Sequence, residues 1–382
     1  MPMIDAARVK RLAGVWQEFV ESGRIVGGML LVAERGELRF ASARGWADRE
    51  NRRRVTPETQ FRLASLTKLL TSVLALRFCE LGRLSLDEPS TRWLADFRPR
   101  LADGAEATIT LRHLLSHTAG LSYGFEQPVG NVYERAGVSD GLDHAGFDLR
   151  HNLTRLAGVP LLFKPGEAWS YSLATDVVGA IIEQASGVSL PQAIEHWVTQ
   201  PLAMHATGFV ASDDQSLAVA YRDAAHEPLR IGRADVLELE SGEARLSATR
   251  VTDSQAYPSG GAGLIGTAGD YLKLLECLRA GGAPLLSPAS TASLLSNAIG
   301  DLPISNRGPG WKFGLGPMVL TDPGLAKHKQ GPGTWSWCGL YGCHYWVDPV
   351  AGISLVALTN TAVTGAWGGF ADALVNALYA EG

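Results

Sequence analysis

The sequence predicts an α/β fold combined with an all-α part, in which strands from both ends of the chain form one sheet. Strand-like runs lie near the two ends, as in GGMLLVAE and GISLVALTN, whereas residues 84–255 are mainly helical segments and long loops. Strands from opposite ends of a chain usually complete one sheet, so the middle is an insertion. We therefore expect a discontinuous α/β domain of residues 1–60 and 256–382, a mostly helical domain of residues 61–255, and an active site in the cleft between them.

The first part of the chain predicts a helix, a hairpin and a second helix. Apolar side chains recur near one face of residues 1–20 at helical spacing, and they are Val9, Leu12, Trp16, Phe19 and Val20. Two strand-like runs flank Glu34-Arg35-Gly36-Glu37, which predicts a β-hairpin. The Leu- and Ala-rich segment SLTKLLTSVLALRFCELGRL predicts a long helix that ends near Gly82.

The middle of the chain predicts helices, and its last third predicts strands. The clearest helical segments of the middle are LRHLLSHTAGL, DVVGAIIEQAS and LPQAIEHWV. A Gly-rich turn then leads into a further helix in SGGAGLIGTAGDYLKLLECLRAGG. The strands predicted after it are KFGLGPMVL, WSWCGLYGCHYWVDP and GISLVALTN, and GGFADALVNALYA predicts a final helix.

The composition excludes several classes of function. A net charge of −5 and a pI near 6.0 leave no basic surface for nucleic acid. No apolar run approaches the roughly 20 residues that span a bilayer, and the first residues lack a signal-peptide core. We therefore expect a cytoplasmic protein with no membrane partner. The dispersed cysteines indicate free thiols rather than disulfides or a metal site, and they are Cys79, Cys277, Cys338 and Cys343.

The first motif with chemical content is Ser65-Leu66-Thr67-Lys68, which fits S-x-x-K. It lies where the irregular run QFRLA turns into a helix. Residues three apart share a helix face, so the Lys68 amine can approach the Ser65 hydroxyl. A serine needs a neighbour that takes its proton before it can act as a nucleophile, and a lysine can do so when burial lowers its pKa. The apolar run after Lys68 predicts such burial, whereas an N-cap serine beside a solvated lysine is the competing interpretation.

A second motif, Lys164-Pro165-Gly166-Glu167-Ala168-Trp169-Ser170-Tyr171-Ser172-Leu173, follows about 100 residues later. With these motifs the chain resembles the serine β-lactamase and DD-peptidase superfamily, and within it the branch of class C β-lactamases and family VIII carboxylesterases. The resemblance covers nearly the whole chain. It implies the β-lactamase-like fold, an antiparallel sheet flanked by helices with a helical insertion. It also implies Tyr171 as the residue that acts with Lys68 as general base and then as general acid.

The chain departs from the family at two positions. Leu173 replaces the Asn of Y-x-N, and Trp337-Cys338-Gly339 resembles the W-G-G variant of the K-T-G motif. The departures favour esters over β-lactams, because Trp337 offers an apolar wall and one N–H instead of a cation. We expect Leu173 and the Trp337–Gly339 motif to line the substrate site. A competing third motif, Lys329-Gln330-Gly331, is disfavoured by Pro332, which interrupts an edge strand.

The resemblance also places an oxyanion hole at the backbone N–H groups of Ser65 and Leu340. We expect no cofactor and no metal ion, and a small-molecule ester as the partner. With no cation at Trp337, Lys68 alone is left to lower the pKa of Tyr171, which predicts an alkaline activity optimum.

Other residues offer alternative sites. Gly120-Leu121-Ser122-Tyr123-Gly124 and Gly137-Val138-Ser139-Asp140-Gly141 both match G-x-S-x-G, yet neither follows a strand and precedes a helix. His113 and His117 have the spacing of two zinc ligands on one helix, but no further ligands cluster near them. His344 either lines the cleft or packs beside Tyr345 and Trp346.

The sequence is therefore consistent with three functions. The first is a carboxylesterase that cleaves small to medium esters through an acyl-enzyme on Ser65, with weak β-lactam hydrolysis as a side activity. The second is a β-lactamase or DD-peptidase. The third is a non-catalytic binding or sensor protein on the same scaffold, which Ser65, Lys68 and Tyr171 together argue against. The sequence predicts no oligomeric state.

Overall fold

The computed structural model describes residues 4–380 except 212, 214 and 306. Its strands are β1 (Gly27–Glu34), β2 (Glu37–Asp48), β3 (Arg53–Arg54), β4 (Phe61–Arg62), β5 (Tyr221–Arg222), β6 (Leu229–Arg230), β7 (Asp235–Glu238), β8 (Glu243–Leu246), β9 (Ile265–Gly266), β10 (Trp311–Phe313), β11 (Met318–Leu320), β12 (Trp335–Gly339), β13 (Cys343–Asp348) and β14 (Ile353–Thr359). Its α-helices are α1 (Ala6–Glu21), α2 (Thr67–Glu80), α3 (Leu111–Leu115), α4 (Val132–Arg135), α5 (Leu149–Ala157), α6 (Ala174–Ser186), α7 (Leu190–Ile194), α8 (Ala268–Arg279), α9 (Pro288–Leu294), α10 (Pro323–Ala326) and α11 (Gly369–Tyr379).

The main sheet confirms the predicted fold class. It has eight antiparallel strands in the order β10-β11-β12-β13-β14-β1-β2-β3. The last strand, β14, pairs with β1 over Gly28↔Thr359 to Glu34↔Ile353, so the two ends of the chain meet in the middle of the sheet. The two-residue turn Arg35-Gly36 has positive φ at both positions, as the predicted hairpin requires.

Helices cover both faces of this sheet, which explains why β1 is apolar without alternation from Met29 to Ala33. Met29 and Leu31 face the core shared with α2 and α8, whereas Leu30 and Val32 face α1 and α11. Successive side chains of a strand point to opposite faces. A strand buried on both faces therefore has to be apolar at every position.

The helices of the middle segment are organised around α2. Helix α2 is buried along almost its whole length and packs against α6, α7 and α9. Two features differ from the predictions. Helix α3 ends at Leu115, short of the predicted segment, and two hairpins, β5–β6 and β7–β8, occur within the middle segment. The division into domains at residues 60/61 and 255/256 stays a prediction.

Among the described residues, no helix combines the length and apolar character that crossing a membrane requires. All four cysteines are free thiols.

The packing of α1 predicts a large stability effect at Trp16. This side chain is fully buried, its ring centroid lies 5.6 Å from that of Phe370, and its Nε1 donates to Ser42 O at 3.1 Å. We expect Trp16→Ala to lower the free energy of unfolding by about 3–5 kcal/mol, because it leaves a cavity in the core and removes a hydrogen bond. Lys10→Ala, at an exposed position of the same helix, should change it by less than about 0.5 kcal/mol. Chemical denaturation measures both, and equal effects would contradict this packing.

Candidate active site

Ser65 lies in a 3₁₀ turn, Ala64–Leu66, that leads directly into α2. The preceding residue, Ala64, has a φ of 45°, which is a strained conformation for a residue with a Cβ. The Leu66 N–H donates to Leu63 O, whereas the N–H of Ser65 belongs to the first turn, where such groups have no partner within the helix. In this turn Ser65 stays half-buried at the start of α2.

Lys68 lies one turn further along and is almost completely buried, with 1% of its surface exposed. Its Nζ lies 3.2 Å from Ser65 Oγ, 2.8 Å from Tyr123 OH and 2.9 Å from Gly261 O. The rings of Tyr123 and Tyr171 also flank the amine, with centroids 5.0 and 4.8 Å from Nζ. The amine is thus held by oxygen atoms and aromatic faces rather than by water.

Burial lowers the pKa of Lys68 to about 7, because the ammonium form loses its solvation. The buried carboxylate of Asp176 opposes this effect and raises the pKa, as do more weakly Cys338 and Asp140. The sequence predicted a buried lysine with a lowered pKa, and the structure gives the amine these properties.

Tyr171 reaches Ser65 from the loop before α6. Backbone hydrogen bonds from Gly166 N to Thr118 O (2.8 Å) and from Ser170 N to His117 O (3.0 Å) fix this loop. The Tyr171 hydroxyl donates to Ser65 Oγ at 2.6 Å. Ser65 Oγ is therefore in hydrogen-bond contact with Lys68, one helical turn away, and with Tyr171, 106 residues later in the chain.

The protonation of Tyr171 differs from the sequence-based expectation. Burial raises its pKa well above the usual value, and the groups that lower it are the hydrogen bonds with Ser65 and Trp337 rather than the charge of Lys68. The expectation that Lys68 alone depresses the Tyr171 pKa is therefore wrong. The phenol stays protonated at neutral pH, whereas the pKa of the Lys68 amine lies at about 7.

Trp337 lies on β12 and contacts Tyr171 directly. Its Nε1 donates to Tyr171 OH at 3.3 Å, and the two ring centroids lie 5.1 Å apart. Phe313 packs edge-on against Trp337 at 5.2 Å, and His117 lies 5.0 Å from the Tyr171 ring. The indole thus occupies the third-motif position with a neutral donor that orients the phenol.

Gly339 brings the end of β12 against the backbone before Ser65. A Cβ at this position would lie 2.3 Å from Leu63 O, so only glycine permits the approach. Leu340 follows directly, and its N–H therefore belongs to the segment that packs closest to the turn of Ser65. Gly339 is buried by this contact, which gives it a packing role next to the predicted substrate site.

Two other predicted substrate-lining residues differ in their exposure. Cys338 is half-buried, and burial raises the pKa of its thiol to about 11, so it stays protonated at neutral pH. Leu173 precedes α6 and is fully buried in the core. Its side chain has no surface to offer to a substrate, which corrects its predicted role. The turn into α6 directs it inward.

Tyr123 and Gly261 are parts of the site that sequence reasoning missed. In the sequence, Tyr123 is only a position within a disfavoured G-x-S-x-G match, and Gly261 belongs to the Gly-rich turn that leads into a helix. A Cβ on Gly261 would lie 3.0 Å from Tyr123 OH and 3.4 Å from Lys68 Nζ, so a glycine here leaves room for the amine. The glycine run before α8 was the one available signal for close packing at this point.

The two alternative serines are bonded to other groups. Ser122 Oγ donates to Tyr123 O at 3.1 Å and accepts from Gln127 Nε2 at 3.0 Å. Ser139 Oγ donates to Asp143 and accepts from Tyr257 OH at 3.2 Å. Both serines lie in irregular segments outside strands and α-helices, which argues against a nucleophile elbow.

The competing third motif, Lys329-Gln330-Gly331, precedes β12 and lies near the end of the β12–β13 hairpin that is opposite to Gly339. Gly331 N donates to Asp348 Oδ2 at 2.8 Å, whereas Gly339 pairs with Cys343 at the other end of β12. Lys329-Gln330-Gly331 is therefore remote from Ser65 in the sheet.

The histidines have structural partners. His113 caps α3 through Thr110, and His117 lies beyond the helix with a φ of 58° and contacts Ser172 Oγ at 3.1 Å. His344 packs against Phe370 on the α11 side of the sheet, and burial lowers its pKa to about 4. Within the described ranges, no group of three or more His, Cys, Asp or Glu side chains is placed to hold a metal ion.

Comparisons with known proteins agree with this architecture. The Beta-lactamase family model matches residues 12–378. The chain is 44% identical to Esterase EstB of Burkholderia gladioli, over 99% of this chain and 97% of that protein. It is 27% identical to the monacolin J acid methylbutanoyltransferase of Aspergillus terreus, over 93% and 92% of the two chains.

A solved structure, that of EstCE1, described as a hydrolase with promiscuous acyltransferase activity, has a TM-score of 0.95 and 45% identity to this chain. The match covers 99% of this chain and 100% of EstCE1. The resemblance inferred from the S-x-x-K and PGEAWSY motifs is thus confirmed over nearly the full length, and the chain belongs to the β-lactamase family.

Proposed function

We propose that this protein is a serine carboxylesterase in which Ser65 is acylated and Lys68 and Tyr171 transfer the protons. The observation that carries the proposal is the contact of Ser65 Oγ with both Tyr171 OH, at 2.6 Å, and Lys68 Nζ, at 3.2 Å. The esterase EstB and the hydrolase EstCE1, each similar over nearly the whole chain, support an ester as the substrate.

The hydrogen bonds around Lys68 suit a neutral amine, which has two N–H groups and one lone pair. Tyr123 OH and Gly261 O accept the two N–H groups at 2.8 and 2.9 Å. The lone pair is then left for the Ser65 hydroxyl, and Ser65 Oγ in turn accepts from Tyr171. In this arrangement Lys68 takes the Ser65 proton as the oxygen attacks the ester carbonyl.

The later steps follow from the same contacts. The carbonyl oxygen becomes negative and is held by the N–H groups of Ser65 and Leu340, which form the proposed oxyanion hole. Tyr171, still protonated, gives its proton to the departing alcohol and recovers one from Lys68. Water then attacks the acyl-enzyme, and the same groups move the protons in reverse.

Trp337 argues for neutral esters over β-lactams. It holds Tyr171 OH with an uncharged N–H, so no third-motif cation is present to attract the carboxylate of an antibiotic. Leu173, fully buried, provides no amide to hold an antibiotic side chain. Slow β-lactam hydrolysis is therefore at most a side activity of the site.

Acyl transfer is a second activity that the comparisons favour, because relatives include EstCE1 and a methylbutanoyltransferase. An alcohol would replace water as the acceptor at the same acyl-enzyme, with Lys68 and Tyr171 moving the protons as before.

Three substitutions test the proposed catalytic groups: Ser65→Ala, Lys68→Ala and Tyr171→Phe. Each is expected to lower kcat for nitrophenyl butyrate by at least about 10³-fold. The double variants are expected to fall little further, because the groups act as a unit. Ser122→Ala and Ser139→Ala serve as controls, since both hydroxyls are engaged elsewhere. Turnover retained in Ser65→Ala would refute the assignment.

The Lys68 pKa of about 7 predicts the pH dependence of kcat/KM. Only the neutral amine can accept a proton, so kcat/KM should be constant above pH 7 and fall about tenfold for each pH unit below it. Tyr171 and Cys338 stay protonated across this range because burial raises both pKa values. Steady-state rates between pH 5 and 9 measure the profile, and a flat profile down to pH 5 would contradict it.

The choice between ester and β-lactam is tested by nitrophenyl butyrate and a chromogenic cephalosporin measured side by side. We expect kcat/KM for the ester to exceed that for opening of the β-lactam ring by at least about 100-fold, a difference of about 2.7 kcal/mol in the barrier. A ratio below one would favour the β-lactamase alternative, and no turnover of either would favour a binding protein.

A further inference from the structure

A buried carboxyl group is linked to Lys68 through the backbone of Gly261. Asp176 is on the first turn of α6 and has only 1% of its surface exposed. Its Oδ1 accepts from Ser259 Oγ and from Gly261 N, both at 2.7 Å. Its Oδ2 is buried and has no hydrogen-bond partner among the described residues. A buried carboxylate with one unpaired oxygen is costly, so its presence calls for a physical reason.

The hydrogen bonds of Asp176 connect it to the amine through one residue. Gly261 donates its N–H to Asp176 and accepts from Lys68 Nζ at its carbonyl, at 2.9 Å. A Cβ placed on Gly261 would lie 3.2 Å from Asp176 Oδ1 and 3.4 Å from Lys68 Nζ. The carboxylate oxygen and the amine are therefore less than about 7 Å apart.

The Gly260-Gly261 turn packs between the two helices that carry these groups. Gly260 O accepts from Thr71 Oγ1 of α2 at 2.7 Å, and a Cβ on Gly260 would lie 2.7 Å from Thr175 O of α6. The turn thus fits tightly, and Asp176 is the side chain that fixes its N–H.

We propose that Asp176 is a positioning residue for the reaction: it fixes the Gly261 carbonyl against the Lys68 amine and places a negative charge behind that amine. The inference rests on the proposed role of Lys68 as the base. It adds to the Ser65–Lys68–Tyr171 contacts a fourth side chain that touches neither the substrate nor Ser65.

The charge of Asp176 acts on Lys68 in a defined direction. Burial raises the pKa of Asp176, and the hydrogen bonds from Ser259 and Gly261 oppose this effect. In its ionised form the carboxyl group stabilises the ammonium, so it raises the Lys68 pKa against the effect of burial. The other charged and titratable groups around this pair are Asp140, Arg250, Cys338, His117, Tyr123, Tyr171 and Tyr257. Removing the carboxylate charge must then lower the Lys68 pKa and move the acid limb of kcat/KM to lower pH.

Asp176→Asn tests this inference, with nitrophenyl butyrate as the substrate. At a separation of about 7 Å and an effective dielectric near 20, the acid limb should move down by on the order of one pH unit. The plateau kcat should fall about tenfold with KM unchanged, because the amine loses its fixed position. A purely structural role would lower the rate or the Tm without moving the limb.

Asp140→Asn is the matched control. Burial raises the pKa of Asp140 to about 7, so this carboxyl group near Lys68 is mostly protonated along the acid limb. It accepts from Gly124 N at 2.8 Å and Phe125 N at 3.3 Å and not from the Gly261 turn. The acid limb of this variant should move less than that of Asp176→Asn. An acid limb of Asp176→Asn at the wild-type position would overturn the inference, as would an equal or larger shift in Asp140→Asn.

Ser259→Ala keeps the test available if Asp176→Asn does not fold. It removes the Ser259 hydrogen bond, the contact that most lowers the pKa of Asp176, so it loosens the carboxyl group and raises its pKa further. The plateau kcat should fall severalfold while the acid limb moves by less than in Asp176→Asn, and an unchanged kcat would overturn the positioning role. The proposed function is tested separately: Ser65→Ala and Lys68→Ala decide it whatever the Asp176 variants show.

Discussion

The burial of the Lys68 amine is the constraint on which the rest of the site depends. An ammonium group in this position would lose most of its solvation, so the fold has to provide partners that tolerate a neutral amine. Tyr123 OH and Gly261 O take its two N–H groups, and Ser65 Oγ is left beside its lone pair. The same burial that makes the lysine costly to fold makes it a base near neutral pH.

Close backbone approaches bring the remaining groups to this amine. Gly339 lets β12 pack against Leu63, and Gly261 leaves space beside Lys68 that a larger residue would fill. The loop of Tyr171 is fixed to His117 and Thr118 by backbone hydrogen bonds. Segments from the sheet and from the helical middle thus converge on Ser65, and Trp337 of β12 contributes an uncharged N–H that donates to Tyr171 OH.

Sequence patterns that act over a few residues predicted their part of the structure well. The i, i+3 spacing of Ser65 and Lys68 fixes their contact, because one helical turn separates them. The apolar strands at both ends predicted one sheet, and β14 does pair with β1. The hairpin β7–β8 was missed because its strands, DVLE and EARL, are only four residues each, too short for an apolar alternation to stand out from the surrounding loops.

Features that depend on tertiary packing could not be predicted. No local pattern connects Tyr123 to Lys68, which is 55 residues away in the chain. The inward direction of Leu173 and the strained φ of Ala64 are likewise set by neighbours from other segments. The pKa of Tyr171 was misjudged because its burial could not be read from the PGEAWSY motif, and burial outweighs the hydrogen bonds that lower the pKa.

The most direct test of this account is the rate at which a fluorophosphonate labels the protein at different pH values, with the modified serine located by mass spectrometry of a digest. The account predicts a single label on the peptide that contains Ser65, formed at a rate that rises with pH and levels off above about 7 as the buried amine loses its proton. A label on Ser122 or Ser139, or a labelling rate at Ser65 that does not depend on pH, would contradict it.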